Sequence, residues 1–282
     1  MKPYRLLETS QKYTEYDMIQ KHTEVAGFPD VRARLLHLFL SEAGSNHLQT
    51  HADQLFPLVT GLVQMALDTH DMIDTSPAHQ QEEQMRSRQL NVLAGDYFSS
   101  RFYELLAKAG EIQMVSRLSE AICENNRLKM NLYEQSQRGT LTVEQYMEAS
   151  IQLKMQLFLS FKPYIAEEQR QLWEQLLYLF SRCELLANEL NPGSAEQPFG
   201  HFRLYDALEQ APERRNELYS EPQQSPRWQE WDALYGTTAR LEKLLGHALA
   251  AIGERLQQSD HDVLQTEISG LTGSYAKLVH QV

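Results

Sequence analysis

The sequence has few of the features that mark secreted or nucleic-acid-binding proteins. Its two cysteines, Cys123 and Cys183, share no CxxC spacing, so we expect reduced core residues of a cytosolic protein. Its 26 Lys and Arg residues are outnumbered by 38 Asp and Glu residues, which gives a formal charge of −12, and they form no basic run. Because binding to a phosphate backbone depends on clustered cations, this charge balance argues against a nucleic-acid partner.

Long apolar runs are also missing. The longest mostly apolar stretch, Leu55 to Leu67, is broken by Pro57, Thr60 and Gln64. A helix that spans a bilayer needs about 20 apolar residues in a row, so we predict no membrane span. The first five residues, Met-Lys-Pro-Tyr-Arg, are followed by mostly polar sequence and not by an apolar signal core. The sequence therefore predicts a cytoplasmic location.

Alternating strand patterns are equally scarce, whereas apolar residues recur with helical spacing along nearly the whole chain. Val59, Leu62 and Ala66, for example, form one core-facing stripe. The sequence therefore predicts an all-α helical bundle that forms a single domain over residues 1–282. Residues 194–227 are rich in Pro, Gln and Glu, and we expect there a loop-rich, partly ordered surface connection with one short helix.

Local signals predict where several helices begin and end. Gly139 suits the left-handed residue that closes a helix, so a helix from Glu111 is expected to end at Arg138. Thr142 with Gln145 forms a capping box that opens the next helix. Helical spacing then predicts a helix over residues 228–257.

An altered acidic motif occupies the end of the helix through Leu62. Asp74 follows His70 by four residues and Asp71 by three, so the three side chains project from one helical face. Carboxylates in this arrangement suit Mg²⁺, which prefers oxygen ligands, whereas imidazole is a poor ligand for it. Considered alone, the segment could equally be a polar helix end that leads into a loop.

Two segments together resemble the trans-prenyltransferases. His70 to Asp74 is similar to their first motif, Asp-Asp-x-x-Asp, with His70 in place of the first Asp. Downstream, Val92-Leu-Ala-Gly-Asp96 is similar to the helix that accompanies that motif. The resemblance implies an all-α fold of the isoprenoid synthase type.

Other parts of this family's pattern are weakened or missing. Arg32 and Arg34 stand where the family has Gly-Lys-Arg-x-Arg-Pro, and Lys154 stands for a lysine that binds the allylic diphosphate. The resemblance implies that these three cations are remnants that face a diphosphate. The second acidic motif is reduced to Asn188 and Glu189, and residues 75–85 lack the arginine pair that follows the first motif.

These losses predict that the chain is inactive alone. In the family, Mg²⁺ held by both motifs draws charge from the allylic diphosphate, so that an allylic cation forms and isopentenyl diphosphate attacks it. Losing carboxylate ligands and arginines removes this electrostatic stabilisation of the leaving group. We therefore predict no catalytic residue and no bound metal in this chain, with Mg²⁺ held by a catalytic partner.

The remaining pattern resembles the small, non-catalytic component of two-component long-chain prenyl diphosphate synthases, which make heptaprenyl or hexaprenyl diphosphate. It implies a heterodimer or larger assembly with a catalytic large subunit that elongates farnesyl diphosphate with isopentenyl diphosphate for the menaquinone side chain. The prenyl chain would lie in a shared tunnel, and the isolated chain could form a homodimer. The interface is expected on one helix, at Leu93, Tyr97, Phe98 and Phe102, and ordinary core packing is the alternative for this helix.

Two other classes of protein stay open at this point. An HD-type phosphohydrolase would use His37 upstream and His70-Asp71 as its central metal-binding pair, although no downstream ligand is evident. His47 and His51 are four residues apart and could form half of a zinc site, but such a pair usually lies on a solvated helix face. The third class is a helical binding scaffold unrelated to isoprenoids.

Overall fold

The computed structural model describes residues 6–14, 19, 24–42, 52–73, 82–191, 199–223, 225–258 and 262–279. Throughout these residues the regular elements are helices, which confirms the all-α prediction. The helices are α1 (Leu6–Thr14), α2 (Asp30–Glu42), α3 (Ala52–Asp71), α4 (Glu82–Lys108), α5 (Ile112–Arg138), α6 (Val143–Leu159), α7 (Arg170–Leu190), α8 (Phe202–Gln210), α9 (Arg215–Ser220), α10 (Arg227–Tyr235), α11 (Thr237–Gln257), α12 (Asp262–Leu271) and α13 (Gly273–Val279), with short 3₁₀ turns at Lys162–Tyr164, Glu167–Gln169 and Pro212–Arg214.

The chain divides into two compact units. One comprises Met1–Cys123 with Leu157–Arg170, and the other comprises Glu124–Gln156 with Gln171–Val282. A single domain over residues 1–282 therefore stays a prediction.

The central helix of the first unit is α3, which packs against α4. Every residue of α3 from Phe56 to Ala66 is buried, as expected for a helix that is apolar around most of its circumference. Gly61 allows a close approach, because a Cβ at this position would lie 2.2 Å from the ring of Phe28. The core between α3 and α4 contains Leu58, Leu62, Met65, Ala66, Ala94 and Phe98. This packing holds the end of α3 beside α4.

In the second unit, polar contacts connect α6 to its neighbours. Asn125 on α5 donates a hydrogen bond of 2.9 Å from Nδ2 to the carbonyl oxygen of Leu153. Asn125 is fully buried, so this bond gives its amide nitrogen a partner where water cannot reach it. A separate apolar cluster, formed where α8, α9 and α10 meet, contains Leu204, Ala207, Leu218, Trp228 and Trp231.

The predicted boundary between α5 and α6 is confirmed. Gly139 follows Arg138 with φ +62°, the left-handed conformation that glycine adopts without steric cost. The backbone nitrogen of Thr142 donates to Gln145 Oε1 over 3.0 Å, and the backbone nitrogen of Gln145 donates to Thr142 Oγ1 over 3.1 Å. The capping box therefore satisfies two donors at the start of α6.

The helix predicted over residues 228–257 is two helices. Gly236, with φ +66°, ends α10 and precedes α11. Its backbone nitrogen donates to the carbonyl oxygen of Asp232, and the Asp232 side chain accepts a 2.6 Å hydrogen bond from the backbone nitrogen of Thr238. The apolar spacing continues across the break, which is why the spacing alone did not reveal it.

The stretch over residues 194–227 is more helical than the loop-rich connection that its composition predicts. It contains α8 and α9, and Phe202, Tyr205 and Leu218 are buried within it. A few apolar anchors are enough to dock these short helices, although the surrounding sequence is polar. Residues 194–198 and 224 lie outside the described part of the chain.

Candidate functional site

The two segments that carry the resemblance contact each other in the structure. His70 lies in the last turn of α3, and its Nε2 atom is 3.6 Å from Oδ1 of Asp96 on α4. A Cβ built on Gly95 would lie only 2.5 Å from the same Nε2 atom. The imidazole therefore occupies the space left by the missing side chain of Gly95. Asp71 is half-buried at the end of α3, and Asp74 lies outside the described residues.

Among the described residues, no three His, Cys, Asp or Glu side chains come together in a way that could hold a metal ion. His70 instead packs on Gly95 beside Asp96, and an imidazole is a poor ligand for Mg²⁺.

The candidate ligands of an HD-type metal site are His37, His70 and Asp71. His37 is buried, and its Nδ1 atom is 2.8 Å from the carbonyl oxygen of Asp53. All three of these candidate ligands lie among the described residues, and they do not come together as a group that could hold a metal ion. His47 and His51 lie outside the described residues.

Arg32, one of the expected diphosphate-facing residues, is buried with 1% of its surface exposed. Its Nη1 atom donates to Gln64 Oε1 over 3.3 Å, and Gln64 Nε2 donates to Asp68 Oδ1 over 2.8 Å. The guanidinium carbon lies 5.0 Å from the centre of the Phe158 ring. Arg32 therefore connects α2 to α3. It also stacks on the ring of Phe158, near the end of α6, and this contact lies within the first unit. Arg34 is half-buried on the same helix.

Lys154, the third expected diphosphate-facing residue, lies on α6 and forms an ion pair with α7. Its Nζ atom is 2.9 Å from Oε1 of Glu184, and the two side chains are 19% and 20% exposed. The charge of this lysine is therefore balanced by a carboxylate of the same unit. The sequence analysis missed Glu184, because nothing in its surroundings marks it and it lies far from Lys154 along the chain.

Glu189, the acidic remnant of the second motif, is buried and hydrogen-bonded to two neighbouring helices. It is 8% exposed, and it accepts hydrogen bonds from the Tyr146 hydroxyl over 2.7 Å and from the backbone nitrogen of Phe202 over 3.1 Å. Burial raises the pKa of Glu189, against the lowering effect of these two hydrogen bonds. Glu189 thus joins α6, α7 and α8, whereas Asn188 is exposed.

A histidine that the sequence analysis did not single out caps α8 near Glu189. His201 Nδ1 accepts a 3.2 Å hydrogen bond from the backbone nitrogen of Leu204, and the ring lies edge-on to Trp228 with centroids 4.6 Å apart. Burial lowers the pKa of His201 to about 4, so the ring is neutral at pH 7 and can accept this bond.

The expected interface residues on α4 separate into two groups. Phe98 and Phe102 are 0% and 1% exposed, so they belong to the core and the interface prediction is corrected for them. Leu93 is 62% exposed, and Tyr97 is half-buried beneath the Arg101 guanidinium. The apolar residues that α4 exposes are Met85, Val92, Leu93 and Tyr103, which we call the outer face of α4.

Comparison with known sequences shows the family. The sequence profile of the family described as "Heptaprenyl diphosphate synthase (HEPPP synthase) subunit 1" matches residues 16–233. The chain belongs to this family. Heptaprenyl diphosphate synthase component 1 of Geobacillus stearothermophilus is 44% identical to this chain over 73 residues. That aligned stretch covers 26% of this chain and 31% of the relative.

Similar solved structures show the fold of this member of the heptaprenyl diphosphate synthase subunit 1 family. Heptaprenyl diphosphate synthase from Staphylococcus aureus superposes with a TM-score of 0.67 at 13% identity, over 98% of this chain and 92% of that one. Geranylgeranyl pyrophosphate synthase from Lactobacillus brevis superposes with a TM-score of 0.68 at 14% identity, over 96% and 94%. The fold is therefore that of the trans-prenyltransferases. Among the described helices, none is both long and apolar enough to cross a membrane.

Proposed function

We propose that this chain is the structural small subunit of a heteromeric heptaprenyl or hexaprenyl diphosphate synthase. The observation that carries the proposal is the contact between His70 and Gly95: the framework of the first acidic motif is kept, but an imidazole stands at its first position. Membership of the subunit 1 family supports the same function.

The catalytic chemistry belongs to a partner chain in this proposal. The partner carries both acidic motifs, binds Mg²⁺ and joins isopentenyl diphosphate to farnesyl diphosphate, and the product supplies the menaquinone side chain. The chain described here completes the assembly, holds the helices of its partner in place and contributes to the tunnel that takes up the growing prenyl chain. A cytoplasmic location stays a prediction from the sequence.

The outer face of α4 is the proposed contact with the catalytic subunit. Val92, Leu93 and Tyr103 are 40%, 62% and 47% exposed on one helix. Large apolar side chains concentrated in this way favour burial against another protein surface. Their neighbours Phe98 and Phe102 anchor the opposite side of the helix in the core, so the outer face is presented on a rigid element.

The proposal can be tested by capture and by mutation. The tagged chain, expressed with a candidate catalytic subunit that carries two intact acidic motifs, should retain that subunit through affinity purification and size-exclusion chromatography. The variant His70→Asp should not elongate farnesyl diphosphate alone, because the second motif is reduced to Glu189. Elongation by the isolated wild-type chain, or failure to retain any such catalytic subunit, would overturn the proposal.

A further inference from the structure

We draw no further inference here: the strongest candidate, the exposed apolar patch that Met130 and Tyr133 form on α5, carries nothing, because nothing in the described part of the structure shows what covers it.

Discussion

The imidazole of His70 packs against Gly95, so close that a Cβ on Gly95 would be 2.5 Å from Nε2. This contact connects the end of α3 to the middle of α4, and Asp96 lies 3.6 Å from the same nitrogen. In the described part of the chain, the altered acidic motif thus serves as a packing element between two helices.

Gly95→Ala should therefore destabilise the protein. The added methyl group overlaps the His70 ring, and relative to the alanine control described next we expect a loss of about 1–3 kcal/mol in the free energy of unfolding, measured by urea denaturation. Gly253→Ala is the matched control: Gly253 also lies within a helix, but a Cβ there meets no atom within 4 Å. This control should be neutral or stabilising by up to about 1 kcal/mol.

A double-mutant cycle with His70→Ala separates the clash from a general effect of alanine on α4. If the imidazole is the cause, Gly95→Ala should cost much less in the His70→Ala background, with a coupling of about 0.5–3 kcal/mol. The same cost in both backgrounds would show that the contact is not responsible.

Two substitutions of Glu189 should have opposite consequences. Glu189→Ala leaves the buried Tyr146 hydroxyl and the Phe202 nitrogen without their acceptor, and we expect a loss of about 1–3 kcal/mol in the free energy of unfolding. Glu189→Gln keeps the shape and can still bond to both groups without a buried charge, so at neutral pH it should be at least as stable as the wild type.

The contribution of Glu189 to folding stability should decrease as pH rises. Because the pKa of Glu189 is raised in the folded state, its contribution to stability is fully present below the ordinary carboxyl pKa and is lost as pH rises through the folded value. The wild type should therefore lose stability relative to Glu189→Gln as pH rises. A stability difference that does not change with pH would contradict this assignment.

His201 should make the protein sensitive to acid. Its pKa falls from 6.5 to about 4 on folding, so the stability it contributes is present above pH 6.5 and is lost as pH falls through about 4. The full loss is up to about 3 kcal/mol. His201→Asn keeps a good N-cap without a titrating ring, so the difference in urea stability between the two proteins should change over this range. A constant difference would exclude His201 as the source.

The outer face of α4 predicts which surface mutation disrupts assembly. Leu93→Glu should weaken binding to the catalytic subunit by at least about tenfold, measured by surface plasmon resonance, because a buried apolar contact is replaced by a charge. Leu234→Glu on α10 is the matched control, since Leu234 is 65% exposed and Leu93 is 62% exposed. Equal affinities for the two variants would place the contact elsewhere.

Local signals in the sequence predicted the features that depend on neighbouring residues. The capping box of Thr142 and Gln145 and the helix end at Gly139 require only backbone geometry and a few adjacent side chains, and the structure confirms both. The break at Gly236 was not predicted, because apolar residues keep their helical spacing on both sides of it.

Features that depend on tertiary packing could not be predicted in the same way. Helical spacing placed Leu93 and Phe98 on one helix, but only the docking of α4 on α3 determines that Phe98 is buried and Leu93 is exposed. The pairing of Lys154 with Glu184 depends on the register between α6 and α7, which no local pattern specifies. The roles proposed for Arg32, Arg34 and Lys154 stay predictions.

Reconstitution of activity tests the central proposal most directly. The chain is mixed with the catalytic subunit, farnesyl diphosphate, labelled isopentenyl diphosphate and Mg²⁺, and the length of the labelled prenyl products is measured by chromatography. We predict that only the mixture makes long-chain product and that this chain alone makes none. A mixture no more active than the catalytic subunit alone, or long product from this chain by itself, would contradict the proposed function.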